Sequence, residues 1–148
     1  MRILITGANG YLGARLCQFL SDQGHDIIAA CKAPVPYTAG WTDKIKKIII
    51  GDLILDETIN KLVETKPDIV IHLVSLNKQD SEKSIDNALD VNVRVTWKLL
   101  EKLSEQFLKK FIYLSTIHVA DILKGGLESD QNYKPKNNYA LTHLMSEE

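Results

Sequence analysis

The chain opens Met1-Arg2-Ile3-Leu4-Ile5-Thr6-Gly7-Ala8-Asn9-Gly10-Tyr11-Leu12-Gly13, and this stretch decides the fold. A short apolar run, Ile3-Leu4-Ile5, leads directly into Gly7, Gly10 and Gly13. An amphipathic stretch from Ala14 to Ser21 follows at once. The order is strand, glycine turn, helix. In a parallel α/β sheet, such a turn points backbone N–H groups and a helix N-terminus at the pyrophosphate of a dinucleotide.

The rest of the chain continues the alternation. Strands are expected over Arg2–Thr6, Asp26–Cys31, Lys47–Ile50, Asp68–Leu73 and Lys110–Ser115. Ile48-Ile49-Ile50 and Ile69-Val70-Ile71 are apolar at successive positions, which marks strands covered on both faces. Helices are expected over Tyr11–Asp22, Glu57–Thr65, much of Ile85–Phe107, and from about Tyr139. The long helix has Ala88, Val91, Val95, Leu99 and Leu103 spaced by three and four. Gly24 and Pro67 are stop signals. The segments Lys32–Lys44 and Asp121–Asn138 read as irregular. The second is long for an α/β loop, which points to function. The fold class expected is α/β, a Rossmann-type doubly wound parallel sheet of five strands in the order 3-2-1-4-5.

Composition bounds the function. The 148 residues are enough for one domain with a real core, and a net charge of −1 gives no case for nucleic acid or an anionic membrane. Cys17 and Cys31 lack metal-ligand spacing, so a reduced, cytoplasmic thiol pair is expected. No apolar run reaches the roughly 20 residues that span a bilayer. The four histidines are too scattered for zinc, and Ser75 and Ser115 lack a nucleophile-elbow motif. The chain ends inside a fresh helix, so it reads as residues 1–148 of a cofactor domain that is incomplete at its C-terminus, with no second domain.

The cofactor choice rests on strand ends. Asp26 has the count of an acidic ribose-binding residue but opens its strand, whereas ligands meet parallel sheets at strand carboxyl ends. Cys31 and Lys32 stand at that end. Lys32 would suit the extra phosphate of NADP, so between NAD and NADP the expectation tilts to NADP. The alternative is a solvated loop lysine. Asp52, in Gly51-Asp52-Leu53, lies where its carboxylate can accept from the adenine amino group. The alternative role, a helix N-cap, suits Asp56 better. Leu73, Val74 and Ser75 leave the fourth strand at the same edge.

With these residues in view, the chain resembles the extended short-chain dehydrogenase/reductase family, and within it the NAD-dependent epimerase/dehydratase group. The features that carry the resemblance are Thr6-Gly7-Ala8-Asn9-Gly10-Tyr11-Leu12-Gly13, Gly51-Asp52-Leu53, Ile71-His72-Leu73-Val74-Ser75, Asn92-Val93, Phe111-Ile112-Tyr113-Leu114-Ser115-Thr116 and Asn138-Tyr139. The resemblance implies a hydride-transferring enzyme of nucleotide sugars. Its cofactor set would be Gly7, Asn9, Gly10, Tyr11, Leu12, Gly13, Lys32, Asp52, Leu53, Leu73, Val74, Ser75 and Asn92. Its catalytic set would be Thr116, holding the substrate oxygen, Tyr139, the base, and His143.

His143 departs from the family. The pattern Tyr-x-x-x-Lys stands here as Tyr139-Ala140-Leu141-Thr142-His143. A phenol of pKa ~10 is a poor base unless a cation lowers that value. An imidazole of pKa ~6.5 is mostly neutral at pH 7 and supplies little of that charge. The expected partners are a nucleotide sugar or another small hydroxyl or carbonyl substrate, with a homodimer left open. Two rival readings remain. One is a non-catalytic NAD(P)-binding module or truncated remnant. The other is an NADP-dependent reductase of small aldehydes or ketones.

Overall fold

The computed structural model describes residues 1–35, 40–105, 108–120 and 133–148. Among them, five strands form one parallel sheet: β1 (Arg2–Thr6), β2 (Asp26–Cys31), β3 (Lys47–Ile50), β4 (Ile69–His72) and β5 (Lys110–Tyr113). The order is β3-β2-β1-β4-β5, as the alternating pattern predicts. The pairings Ile3↔Ile27, Ile3↔Ile69, Ala29↔Ile48 and Ile71↔Ile112 fix the register. The last two strands end earlier than expected, at His72 and Tyr113.

The residues fall into two compact units, Met1–Val74 with Lys98–Tyr113, and Ser75–Trp97 with Leu114–Glu148. The first holds the whole sheet. Helix α1 (Tyr11–Asp22) follows β1, and α2 (Asp56–Val63) follows β3. Chain direction reverses at β1. The right-handed crossover rule therefore puts α1 on one face, and α2 with the later part of α5 (Val95–Ser104) on the other. Lys98 Nζ to Asp56 Oδ1 at 2.9 Å and Lys102 Nζ to Asn60 Oδ1 at 2.7 Å join α2 to α5.

Alternation along the strands splits the core between the faces. Ile3, Ile5, Ile27, Ala29 and Cys31 pack with Cys17 of α1 and with Trp41. Leu4, Ile28, Ile49 and Val70 are buried on the alternate positions. Both cysteines are free and buried, and burial pushes the Cys17 thiol up to about 12, which keeps it protonated. Gly24, at φ +79°, ends α1 as expected: its N–H and that of His25 donate to the carbonyls of Ser21 and Leu20. Asp56 is not the cap of α2. It lies in the first turn, after Leu55, and its carboxylate pairs with Lys98.

The second unit is helical. Helices α3 (Lys78–Lys83) and α4 (Ile85–Ala88) are followed by a π-helical turn, Leu89–Arg94, which runs into α5, and α6 (Asn138–Glu147) closes the chain. Helix α3 was not expected, and the single long helix is instead interrupted by the π turn. Within Asp121–Asn138, residues 121–132 lie outside the described residues. Beside that segment, Ala120 bridges Tyr133. Among the described residues, no helix is long and apolar enough to cross a membrane, and no cluster of His, Cys, Asp and Glu could hold a metal.

Candidate functional site

At Gly7 and Gly13 the turn is built so that only glycine fits. Gly7 has φ +68°, and a Cβ there would lie 3.3 Å from Val74 Cγ2. A Cβ on Gly13 would lie 2.2 Å from the Gly7 carbonyl oxygen and 2.8 Å from Ala8 Cα. Gly10 N–H donates back to the Gly7 carbonyl at 2.9 Å, and Ala8 N–H donates to the Ala30 carbonyl at 3.2 Å. Asn9 N–H is directed at the Cys31 thiol. These amides hold the turn itself.

The donors left for a ligand are one step further on. Helix geometry gives the first amides of α1, on Tyr11, Leu12 and Gly13, no carbonyl one turn back. The N-cap is Gly10, which has no side chain to cap them, and the first turn carries no acidic residue. An uncapped helix start of this kind attracts an anion. Its backbone fits a pyrophosphate: Gly10 and Gly13 keep the approach to the N–H groups and the positive helix end free of their own side chains. Asn9 is exposed, as is Tyr11, whose ring lies 3.7 Å under the Arg15 guanidinium.

The neighbouring strand exits form the rest of this edge. Leu73 and Val74 are half-buried next to Gly7, and Leu53 is buried. The Thr6 hydroxyl lies 2.8 Å from His72 Nδ1 and accepts from Leu73 N–H at 3.1 Å. That bond ties the exit of β4 to the exit of β1. Burial lowers His72 to about 4, so the ring is neutral at pH 7. Its Nε2 has no hydrogen-bond partner among the described residues.

Lys32 and Asp52, assigned separate tasks from the sequence, form one ion pair: Nζ to Oδ2 is 2.8 Å. The Lys32 ammonium holds the Asp52 carboxyl below the usual carboxylate range, and Ile54 N–H, donating to Oδ1 at 3.1 Å, adds to this. Asp26 pairs with Lys46 at the opposite end of its strand, in keeping with its rejection as a ribose ligand.

The second unit carries the expected catalytic residues. Thr116 caps the 3-10 turn Ile117–Val119, its hydroxyl accepting from His118 N–H at 3.3 Å. Among the described residues its hydroxyl proton has no acceptor. Ser115, the residue before it, donates to the Glu147 carboxylate. Tyr139 is half-buried near the start of α6. Its ring meets the His143 ring edge-to-face at 4.5 Å, and that of His118 at 6.0 Å. His143 is 1% exposed, and burial lowers its pKa below the usual imidazole value.

Sequence reasoning missed how α6 is held. Asn137 caps it, accepting from Ala140 N–H at 2.8 Å. Asn138 N–H donates to Glu82 Oε1 at 2.7 Å. The fully buried Asn92, in the π turn, accepts from Leu76 N–H at 2.7 Å and donates to Thr142 Oγ1 at 2.8 Å. Thr142 Oγ1 donates in turn toward the Asn138 and Tyr139 carbonyls, at 2.9 and 3.1 Å. Ser146 donates to the Asn92 carbonyl at 2.8 Å. Both ends of the Asn92 amide are thus engaged inside the protein, and its effect on any ligand passes through the segments it fixes. Ser75, just before, is exposed. The Asn137 cap was visible as an Asn before a helix. Thr142 had no signal beyond its offset from Tyr139.

Comparison with known proteins identifies the chain. The model of the NAD dependent epimerase/dehydratase family matches residues 3–148. The chain belongs to the NAD dependent epimerase/dehydratase family. Among its relatives, a Bacillus subtilis protein described as an uncharacterized UDP-glucose epimerase is 25% identical over 159 residues, covering 99% of this chain and 50% of the relative. The UDP-glucose 4-epimerase of Halalkalibacterium halodurans is 27% identical, covering 99% and 44%. A solved structure of the UDP-glucuronic acid 4-epimerase of Bacillus cereus, in complex with UDP-glucuronic acid and NAD, is 30% identical, with a TM-score of 0.81 over 99% of this chain and 50% of that one. The chain spans about half the length of the curated relatives it matches. NAD is the cofactor named in such structures, and the tilt towards NADP drawn from Lys32 has no support among them.

Proposed function

We propose that this chain is the NAD-holding half of an enzyme that acts on a nucleotide sugar, as an epimerase, dehydratase or related oxidoreductase. The observation that carries the reading is the uncapped start of α1 behind a turn that admits only glycine at positions 7 and 13. That solved neighbours are described in complex with NAD and UDP-sugars supports reading this start as the pyrophosphate site.

In this reading, the amides of Tyr11, Leu12 and Gly13 hold the pyrophosphate, and the strand exits at Leu73 and Val74 lie beside the turn. Bound NAD would supply the hydride acceptor. Thr116 would donate its hydroxyl proton to the substrate oxygen, and Tyr139 would take the proton of the sugar hydroxyl. Asn92 and Thr142 would fix the tilt of α6 and so aim the phenol.

One observation favours a second reading, that of a cofactor-binding module without turnover. His143 stands in the lysine's place, and its burial keeps it neutral. A neutral ring leaves the phenol without the charge that would make it a base. The test is calorimetric titration with NAD, followed by an assay of NADH formation and sugar conversion with UDP-glucose and UDP-glucuronic acid. Binding with turnover is expected of the enzyme, and binding alone supports the module. A folded chain that binds neither cofactor nor sugar overturns both.

A further inference from the structure

Tyr139 is the second residue of α6, and the first turn is the part of a helix that frays most easily. A phenol placed there is aimed only as well as that turn is held. Asn137 closes one open amide, accepting from Ala140 N–H at 2.8 Å. In a capping box, the third helical residue is a Glu or Gln that reaches back to the amide of the cap. Here that residue is Ala140, whose methyl group accepts nothing. An acceptor comes from another helix instead: Glu82, in α3, takes the next amide, Asn138 N–H, on Oε1 at 2.7 Å. Asn138 makes two more bonds around this one. Its Nδ2 donates to the Ser81 carbonyl at 3.3 Å, and its carbonyl accepts from Thr142 Oγ1 at 2.9 Å. Helix α3 is itself fixed. Asn77 caps it, accepting from Asp80 N–H at 2.9 Å, and buried Ser81 donates to the Asn77 carbonyl at 2.9 Å.

We infer that Glu82 is a positioning residue for Tyr139: it closes the first turn of α6 from outside and so sets the direction of the phenol. That the phenol meets a sugar hydroxyl rests on the function proposed above; that Glu82 aims it does not. The amide that Glu82 holds belongs to the residue directly before Tyr139. Beyond the first turn, α6 is held separately, by Asn92 through Thr142 and Ser146. Loss of the Glu82 bond is therefore felt at the helix start, where Tyr139 stands. The bond lies at the surface, so water replaces it and the whole chain loses little stability. Proton transfer is less forgiving, because the reacting group must be held close to one productive geometry.

The experiment compares the wild type, Glu82→Ala and Glu82→Gln as full chains by NMR of isotope-labelled histidine. The Tyr139 and His143 rings meet edge-to-face with centroids 4.5 Å apart, so the phenol ring displaces the His143 imidazole signals from their unfolded positions. The size of that displacement reports how firmly the phenol is aimed. His72, in β4, is the control for a general loss of fold. Glu82→Ala is expected to lose most of the His143 displacement while His72 keeps its own. Glu82→Gln is expected to retain both, because its amide oxygen accepts the same N–H. With UDP-glucose, Glu82→Ala is expected to lower kcat roughly tenfold and leave KM within about twofold, the mark of a misaimed reacting group. Three results overturn the inference: an unchanged His143 displacement in Glu82→Ala, an equal loss in Glu82→Gln, or a parallel change in His72. The two readings fail separately. A displacement that moves as stated in a chain without turnover keeps Glu82 in its role and removes the enzyme. Turnover with an unmoved displacement removes Glu82 and keeps the enzyme.

Discussion

His143 and His72 are both buried imidazoles, yet they bear on different properties. His143 lies one helical turn past Tyr139, the two ring centroids 4.5 Å apart, where the family pattern has a lysine. A lysine would bring a charge that a desolvated imidazole does not hold. The expected outcome of His143→Lys is a rise of at least about tenfold in NADH formation with UDP-glucose, within the range that acid–base groups contribute. A rate no higher than the wild type would show that the missing charge is not what limits the site. His72 bears on stability. Its folded value of about 4 lies below the unfolded imidazole value of 6.5, so between those values the unfolded chain binds the extra proton. Stability is therefore complete above pH 6.5 and falls as pH drops toward 4, by up to ~3 kcal/mol. Urea midpoints measured from pH 7.5 to 4.5 should show this slope, and His72→Asn should lessen it, leaving the share of His143, whose pKa burial also lowers. An equal slope in the variant would place the proton uptake elsewhere. The apolar run Ile69-Val70-Ile71 marks the strand that ends at His72 as covered on both faces, so its place in the core was readable. It gave no sign that Thr6 is its partner, because strand register sets that pairing.

The glycine turn and the π turn show what was legible among the elements and what was not. Three glycines between an apolar run and an amphipathic one carry their own geometry, so strand, turn and helix were readable. The cost of a side chain differs sharply along the turn. Gly13→Ala puts a Cβ against backbone at 2.2 Å, while Gly10→Ala meets only one carbonyl oxygen, at 3.1 Å. Thermal melts should show Gly13→Ala several kcal/mol less stable, as overpacking against immovable backbone requires, and Gly10→Ala markedly less affected. Equal losses would contradict the packing described. The π turn was hidden because one of its core positions is polar. The apolar spacing named Val91, but the structure buries Asn92 fully and leaves Val91 half-buried. A buried amide that makes its own hydrogen bonds leaves no mark on an apolar pattern. Asn92→Ala strands the Leu76 N–H and removes a donor from Thr142. The expected loss is ~1–3 kcal/mol in urea unfolding, and a neutral result would deny that this amide holds α6.

For the whole molecule, the strand order was legible because alternation and crossover handedness leave few topologies. The division of the residues into two compact units was not, since it depends on contacts distant in sequence. The tilt towards NADP, which the relatives' structures do not support, took Lys32 without its partner, 20 residues on in sequence and 2.8 Å away in space. The account depends on the start of α1 holding the pyrophosphate of NAD. Amide NMR of the isotope-labelled chain, titrated with NAD, tests that most directly. The account predicts saturating shifts that are largest for the N–H groups of Tyr11, Leu12 and Gly13. Unmoved amides across Gly7–Ala14 in a folded chain, or shifts confined to another surface, would contradict it.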